Sequence, residues 1–262
     1  MIEQAYLLGE LLGLPTWTLD EAGPYQAIPH PGASWQPEGH PALQPHEYVR
    51  GGTVKLLTLF HPATGSARVQ VVDSAPNTVL HPWLQGELTR LLEAEGAEGA
   101  SVDGHWRMWE TWGYAAERLA QYTATPAPQV RLLLVLDNLA GHRSKLLVAW
   151  CLERGVALLY TPLGGSCYNL AESFQRILVR RVLDGQHYQT AERLKVAFVA
   201  GVEGWNAAPT PFEWGGKRWE RRQRAKARRY RQGGAEAYTD QPLTPRGHCQ
   251  QANDKVCQIQ DK

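Results

Sequence analysis

The sequence lacks the features of secreted and membrane proteins. No apolar run approaches the roughly 18–20 residues that a membrane-spanning helix requires. Residues 1–14 carry Glu3 and Glu10 but have no basic segment and no cleavage site, so they do not form a secretory signal. We therefore expect a cytoplasmic protein with no membrane partner.

Cysteine is also scarce, with four residues and no CxxC pair. Cys151 and Cys167 fall in segments with the pattern of a folded core, which favours reduced thiols over disulfides. Cys249 and Cys257 have a spacing that matches no common zinc site. A disulfide-stabilised scaffold and a zinc protein are both disfavoured.

Net charge is low, at +1, so overall composition does not indicate a nucleic-acid binder. The basic residues are nevertheless concentrated, because residues 217–231 hold nine Lys or Arg in fifteen positions. Such a run can contact DNA phosphates, and a solvated tail is the alternative. The polar composition of residues 232–262 is typical of disorder. The candidate DNA-binding residues are Lys217, Arg218, Arg221, Arg222 and Arg224.

The order of the predicted elements indicates an α/β fold. Three strands come first, the second and third joined as an antiparallel hairpin, and helix, strand, helix, strand and helix follow. This order predicts a mixed sheet with helices on both faces, and an RNase H-like fold has the same order. The predicted strands cover about 16–21, 53–60, 67–72, 130–137 and 156–160, and the predicted helices about 82–95, 143–154, 168–183 and 190–204. Ala22-Gly23-Pro24 is expected to end the first strand.

The same patterns divide the chain into three parts. We expect residues 1–14 to form a linker helix and residues 15–210 to form one RNase H-like domain. Residues 211–262 form a basic, partly disordered tail. The Pro-, Gly- and His-rich segment 28–51 is expected to be a long loop, a feature that is usually functional in a compact domain.

Three acidic residues stand at special places in this arrangement. Asp20 lies near the end of the first strand, Asp137 ends the buried central strand, and Glu172 begins the helix after the last strand. Sites in open α/β sheets form beyond the carboxyl ends of strands. Each residue alone is more commonly a turn, cap or helix-dipole residue, so the functional interpretation depends on the three occurring together.

Three convergent carboxylates suit one kind of chemistry. Phosphodiester cleavage builds negative charge on the attacking and leaving oxygens, and two divalent ions about 4 Å apart stabilise both. Mg²⁺, like Mn²⁺, prefers oxygen ligands, whereas Cys and His ligands suit other metals. The pattern therefore favours two Mg²⁺ or Mn²⁺ ions.

Several motifs surround these acids. Residues 136–142 (LDNLAGH) resemble the DNxxxH motif of transposases, and residues 160–172 (YTPLGGSCYNLAE) resemble their third-acid motif. Positions 138–171 place 34 residues between Asp137 and Glu172. Residues 20–25 (DEAGPY) resemble the first-acid motif, and residues 211–218 (PFEWGGKR) the end segment. Together they resemble the mariner superfamily of DDE transposases, in its bacterial insertion-sequence branch, over about residues 10–232.

This resemblance implies a DDE endonuclease that cuts one DNA strand at a transposon end and joins the freed 3′-hydroxyl to target DNA. It implies that Asp20, Asp137 and Glu172 are the catalytic metal ligands. Asp73, at the end of the third strand, is the rival for the first acid. Glu21 alternates to the other face of its strand and favours a structural role. The implied partners are transposon-end and target DNA and a second copy of the chain.

Two departures from the family pattern affect the expected function. The family usually carries an N-terminal helix-turn-helix region, and Met1 stands only about nineteen residues before Asp20. We expect end recognition to be absent or supplied by a separately encoded helix-turn-helix protein. Cys167-Tyr168 stands where an aromatic and an aliphatic residue are expected. The alternatives are an inactive transposase remnant or regulator that binds without cutting, and a different RNase H-like nuclease.

Overall fold

The computed structural model describes residues 1–32, 35–41, 43, 46–94, 102–123 and 127–212. Residues Met1–Phe212 form one compact unit. None of the described helices is long and apolar enough to cross a membrane. The helices are α1 (Ile2–Leu8), α2 (Asn77–Ala94), α3 (Val102–Thr111), α4 (Ala116–Leu119), α5 (Lys145–Leu152), α6 (Leu170–Leu183) and α7 (Ala191–Asn206). The strands are β1 (Thr16–Gln26), β2 (Pro29–His30), β3 (Thr53–His61), β4 (Ser66–Val72), β5 (Leu132–Leu136), β6 (Val156–Tyr160) and β7 (Gln186–His187).

The main sheet has five strands in the order β4-β3-β1-β5-β6. The β1–β3 and β3–β4 pairs are antiparallel, whereas the β1–β5 and β5–β6 pairs are parallel. This mixed sheet, with its hairpin on one side and its strand–helix alternation on the other, confirms the predicted RNase H-like fold. The short strands β2 and β7 pair with each other separately.

Strand β1 is longer than predicted. It continues to Gln26 through the Gly23-Pro24 step that was expected to break it. The pairing with β3 shifts register between Ala22 and Tyr25. A bulge of this kind accommodates a proline, which has no N–H to give to the ladder. The predicted break was therefore wrong.

Helix α2 also begins earlier than predicted, at Asn77, and Pro82 lies inside it. The first four N–H groups of a helix have no partner within it. Pro82 follows this turn closely, so its missing N–H removes only one hydrogen bond from the helix. The prediction that the helix would start only at Pro82 was wrong.

Both faces of the sheet are covered, which explains why β5 is apolar at every position. On one face, Leu134 and Leu136 join a buried cluster with Leu84 and Leu88 of α2. On the other face, Leu133 and Val135 join Trp109, Trp112 and residues of α1. The fully buried β5 therefore lies between two hydrophobic layers, and its carboxyl end carries Asp137.

Helix α6 is held against β3 by aromatic packing. Phe174 stacks on Phe60, with ring centroids 5.1 Å apart and an interplanar angle of 7°. Trp205 of α7 contacts Phe174 edge-on at 5.2 Å, and its indole N–H donates to the Gly65 carbonyl. Phe60 and Phe174 are fully buried. This cluster fixes the position of α6, and hence of Glu172, relative to the sheet.

We expect the Phe174→Ala substitution to lower the free energy of unfolding by about 3–5 kcal/mol, because it removes a buried ring and leaves a cavity. Val196→Ala on α7 is the control, since Val196 is exposed and surface changes usually stay within about 0.5 kcal/mol. Urea unfolding followed by circular dichroism measures both values. Equal stability of the two variants would contradict the proposed packing role.

Candidate active site

The parallel pairing of β1 with β5 brings the first two acids together. Thr16 pairs with Leu133 and Thr18 with Val135, an offset of 117 residues in both pairs. The same offset carries Asp20 to Asp137, each two residues beyond the last of these pairs. Since side chains alternate along a strand, Asp20 shares a face with Thr18. The two carboxylates therefore lie on neighbouring central strands at the same edge of the sheet.

Asp20 is almost buried, with 9% of its surface exposed. Its partner across the antiparallel ladder is Thr58 of β3. One carboxylate oxygen, Oδ1, accepts a hydrogen bond of 2.9 Å from the backbone N–H of Glu21. The side chain is thus held at the base of the site and has little access to water.

Asp137 begins the loop after β5 and is more exposed than Asp20. Its Oδ1 accepts hydrogen bonds from the Leu139 N–H at 3.0 Å and from His142 Nδ1 at 2.6 Å. The neighbouring Asn138 side chain donates to the Thr161 carbonyl after β6. The two loops at the carboxyl edge of the sheet are therefore tied together beside this acid.

Glu172 reaches the site from the first turn of α6, where it is half-buried. Asn169 caps the helix by accepting from the Ala171 N–H at 3.2 Å, and it donates to the Leu19 carbonyl at 2.8 Å. One turn along, Gln175 Nε2 donates to Thr58 Oγ1 at 3.1 Å. The bonds from Asn169 to Leu19 and from Gln175 to Thr58 connect α6 to β1 and β3 beside Asp20. These two hydrogen bonds, one turn of the helix apart, position Glu172.

The acids interact electrostatically although they come from distant segments. Burial raises the pKa of Asp20 to about 7, and the negative charges of Glu172 and Asp137 add to this increase. The pKa of Asp137 moves the other way. Burial opposes its ionisation, but the hydrogen bonds from His142 and Leu139 outweigh burial and lower its pKa. One carboxyl is thus held ionised beside another that binds a proton near neutral pH.

A histidine and a fourth carboxylate lie directly behind Asp137. His142 is fully buried, and its Nε2 lies 3.7 Å from Oε1 of Glu21. Burial also raises the pKa of Glu21, against the opposing charges of His142 and Lys55. The sequence placed Glu21 on the opposite face of β1 from Asp20 and gave it a structural role. It did not indicate the contact with His142, because that contact depends on how the loop after β5 folds back.

The donor set fits hard divalent cations, because all three predicted ligands are carboxylates. The charges of Glu172 and Asp137 beside the buried Asp20 also favour a positive ion, since opposite charge offsets the cost of ionising Asp20. Among the described residues, no three His, Cys, Asp or Glu side chains form a ready-made metal cluster. The acids are therefore neighbours that interact through their charges and do not form a closed cage.

Asp73, the predicted rival for the first acid, lies away from this site. It follows β4 at the edge of the sheet, where its 73% exposed carboxylate pairs with Lys195 Nζ at 2.7 Å. The structure brings together Asp20, Asp137 and Glu172, and it leaves Asp73 two strands from Asp20. The predicted DNA-binding residues Lys217, Arg218, Arg221, Arg222 and Arg224 lie outside the described residues.

Residues 114–195 match the family model of the DDE superfamily endonucleases. This part of the chain is similar to the endonuclease domains of that superfamily. The match includes Asp137 and Glu172 and confirms the predicted superfamily, whereas the insertion-sequence branch stays a prediction. Endonucleases of this superfamily generally use divalent metal ions. No curated protein matches the sequence.

Solved transposase structures are similar to the chain at low identity. The Mos1 transposase paired-end complex with left transposon end is 18% identical, with a TM-score of 0.45, and the match covers 84% of this chain and 60% of that one. The Mos1 strand transfer complex is 17% identical with a TM-score of 0.44, covering 84% and 59%. A pre-cleavage Mos1 transpososome is 13% identical with a TM-score of 0.41, covering 79% and 59%. The chain thus spans about 60% of the length of these proteins.

We expect the stability of the metal-free protein to fall relative to that of Asp20→Asn as pH rises from about 4 to about 7. The folded state keeps a proton on Asp20 up to pH about 7, whereas the unfolded chain releases it near the ordinary pKa of 3.8. Stability from a raised pKa is fully present below the unfolded value and is lost as pH passes the folded value. The difference changes by at most about 1.4 kcal/mol per pH unit.

Urea unfolding in EDTA at several pH values measures this difference. The Asp73→Asn variant is the matched control, because it removes an exposed carboxylate and keeps Asp20. The free energy of unfolding of Asp73→Asn, measured relative to that of Asp20→Asn, should fall with pH as steeply as that of the wild type. Parallel curves for wild type and Asp20→Asn would contradict the raised pKa.

Proposed function

We propose that this chain is the catalytic domain of a transposase of the insertion-sequence branch of the mariner superfamily. It would cut one DNA strand at an element end and transfer the freed 3′-hydroxyl to target DNA. The observation that supports the proposal is that Asp20 lies close to Asp137 and Glu172. The last two fall within the segment that matches the DDE endonuclease family model. Three segments far apart in sequence meet at this site, and the charges of Glu172 and Asp137 help to raise the pKa of Asp20.

Asp20, Asp137 and Glu172 would hold two Mg²⁺ or Mn²⁺ ions. When bound, such ions stabilise the charge on the attacking and leaving oxygens of a phosphodiester. The protein groups would orient this reaction: β1 and β5 set the separation of the two aspartates, and the capped α6 brings Glu172 against them. The burial of Asp20 keeps water from competing for its oxygens.

The proposed partners and boundaries follow the same assignment. The partners are transposon-end DNA, target DNA and a second copy of the chain, with a separately encoded helix-turn-helix protein as a candidate for end recognition. Residues 1–14 would form a linker helix, 15–210 the catalytic domain and 211–262 a basic tail. Lys217, Arg218, Arg221, Arg222 and Arg224 of that tail would contact DNA phosphates in a cytoplasmic protein.

The second candidate function is that of a regulator that binds DNA or a full-length transposase without cutting. The observation that favours it is that no three acidic, His or Cys side chains of the described residues form a preassembled metal cluster. Both candidates require DNA binding, and only the first requires metal-dependent cleavage.

We expect purified wild-type protein to nick supercoiled plasmid in Mn²⁺ or Mg²⁺ and to lose this activity in EDTA. Asp137→Asn, Asp20→Asn and Glu172→Gln each remove one ligand charge, and each should reduce the nicking rate about 100-fold or more, which corresponds to roughly 3 kcal/mol of transition-state stabilisation. Conversion of supercoiled to open-circular plasmid on agarose gels measures the rate.

Asp73→Asn is the matched control, because Asp73 lies at the edge of the sheet, bound to Lys195. It should nick at the wild-type rate. A loss of activity in Asp73→Asn together with full activity in Asp20→Asn would reverse the assignment of the first acid. Folded wild-type protein that binds DNA but never nicks it would support the regulator.

A further inference from the structure

His142 is fully buried between two carboxylates, one on each side of its ring. Nδ1 lies 2.6 Å from Oδ1 of Asp137, and Nε2 lies 3.7 Å from Oε1 of Glu21. Nε2 makes no hydrogen bond, an unusual state for a buried ring nitrogen. Among the described residues, Nε2 faces the Glu21 carboxylate. Glu21 thus faces His142 on the side opposite Asp137.

We propose that Glu21 acts through His142 as a positioning residue for Asp137, so that Asp137 offers its free carboxylate oxygen to a divalent cation. This inference rests on the proposed function, because it assigns Asp137 as a cation ligand. It deepens that function by adding Glu21, which lies on the opposite face of β1 from Asp20 and is not itself one of the three acids.

The orientation of the imidazole ring is the first step of the argument. A half-turn of the ring about its bond to Cβ would replace both facing nitrogens with carbons. The hydrogen bond to Asp137 would then be lost, and so would the electrostatic interaction that a protonated Nε2 makes with Glu21. Two carboxylates on opposite sides therefore favour the same ring orientation. Tyr160 also donates a hydrogen bond of 2.9 Å to the His142 carbonyl, which holds the backbone in place.

The state of Asp137 is the second step. Both hydrogen bonds that it accepts, from His142 and from Leu139, end on Oδ1. In the described residues its other oxygen, Oδ2, receives no hydrogen bond. A carboxylate held at one oxygen cannot rotate without breaking two hydrogen bonds, so Oδ2 keeps one position. Groups that orient metal ligands in this way commonly change metal affinity about 10- to 100-fold when removed.

The location of Glu21 is the third step. It follows Asp20 directly on β1, so the strand that carries one acid also carries the group that orients another. Lys55 on β3 lies within electrostatic range of Glu21, which compensates part of its charge. The arrangement couples β1 to the loop after β5, at the carboxyl end of β5.

The test measures Mn²⁺ binding by the full chain in the absence of DNA, with thermal unfolding as a check on folding. The variants are Glu21→Gln, His142→Asn, His142→Ala and the double variant Glu21→Gln/His142→Asn, and the charge-matched control is Asp73→Asn. Asparagine keeps a donor near the Nδ1 position but has no group facing Glu21. We expect Glu21→Gln to weaken Mn²⁺ binding about 10-fold, His142→Ala to weaken it more than His142→Asn, and Asp73→Asn to leave it unchanged.

The double variant decides whether Glu21 acts through the histidine. Since His142→Asn already removes the contact, adding Glu21→Gln to it should weaken binding no further, a non-additive result. Wild-type affinity in a folded Glu21→Gln protein would overturn the inference and leave the proposed function intact, as would full additivity in the double variant. Wild-type protein that neither binds Mn²⁺ nor nicks DNA would overturn the proposed function, and this inference with it.

Discussion

The parallel pairing of β1 with β5 is the contact on which the site depends. It sets Asp20, within β1, beside Asp137, which directly follows the carboxyl end of β5. A parallel pair needs covered faces, because its connections run over the sheet. The hydrophobic layers around β5 meet that need, with α2 on one side and α1 and α3 on the other. The core therefore supports the fold and also fixes the separation of the two acids.

Helix α6 adds the third acid by a different means. Glu172 lies on a helix, so its position depends on how that helix is attached to the sheet. Phe174 packs the helix against Phe60 of β3. Asn169 and Gln175 bond the helix to the backbone of β1 and to the side chain of Thr58. Buried donors such as these need hydrogen-bond partners, so the two bonds allow α6 few orientations relative to the sheet. The acid is placed by apolar packing and hydrogen bonding together.

The local environments then distinguish carboxylates of similar chemistry. Asp20 is buried among like charges, and its pKa rises to about 7. Asp137 is also partly buried, but its hydrogen bonds from His142 and Leu139 lower its pKa. Oppositely shifted neighbours of this kind are typical of functional sites. A cation would interact favourably with both carboxylates. It would offset the repulsion that raises the pKa of Asp20, and it would bind the negative charge that Asp137 already carries.

The sequence alone was sufficient for the order of the five main-sheet strands and of α2, α5, α6 and α7, because apolar runs such as 132–136 and the hairpin turn at 61–65 are local signals. It did not predict α3, α4, β2 or β7. It also indicated Asp137 and Glu172 from a strand end and a helix start, and Asp20 from the resemblance of residues 20–25 to the first-acid motif. Only the tertiary structure decided that β1 passes through Gly23-Pro24 and that Asp73 lies at a distant edge. It alone showed that Glu21 faces His142. These features depend on register and on loops that fold back from remote segments, and no local pattern of residues encodes such distances.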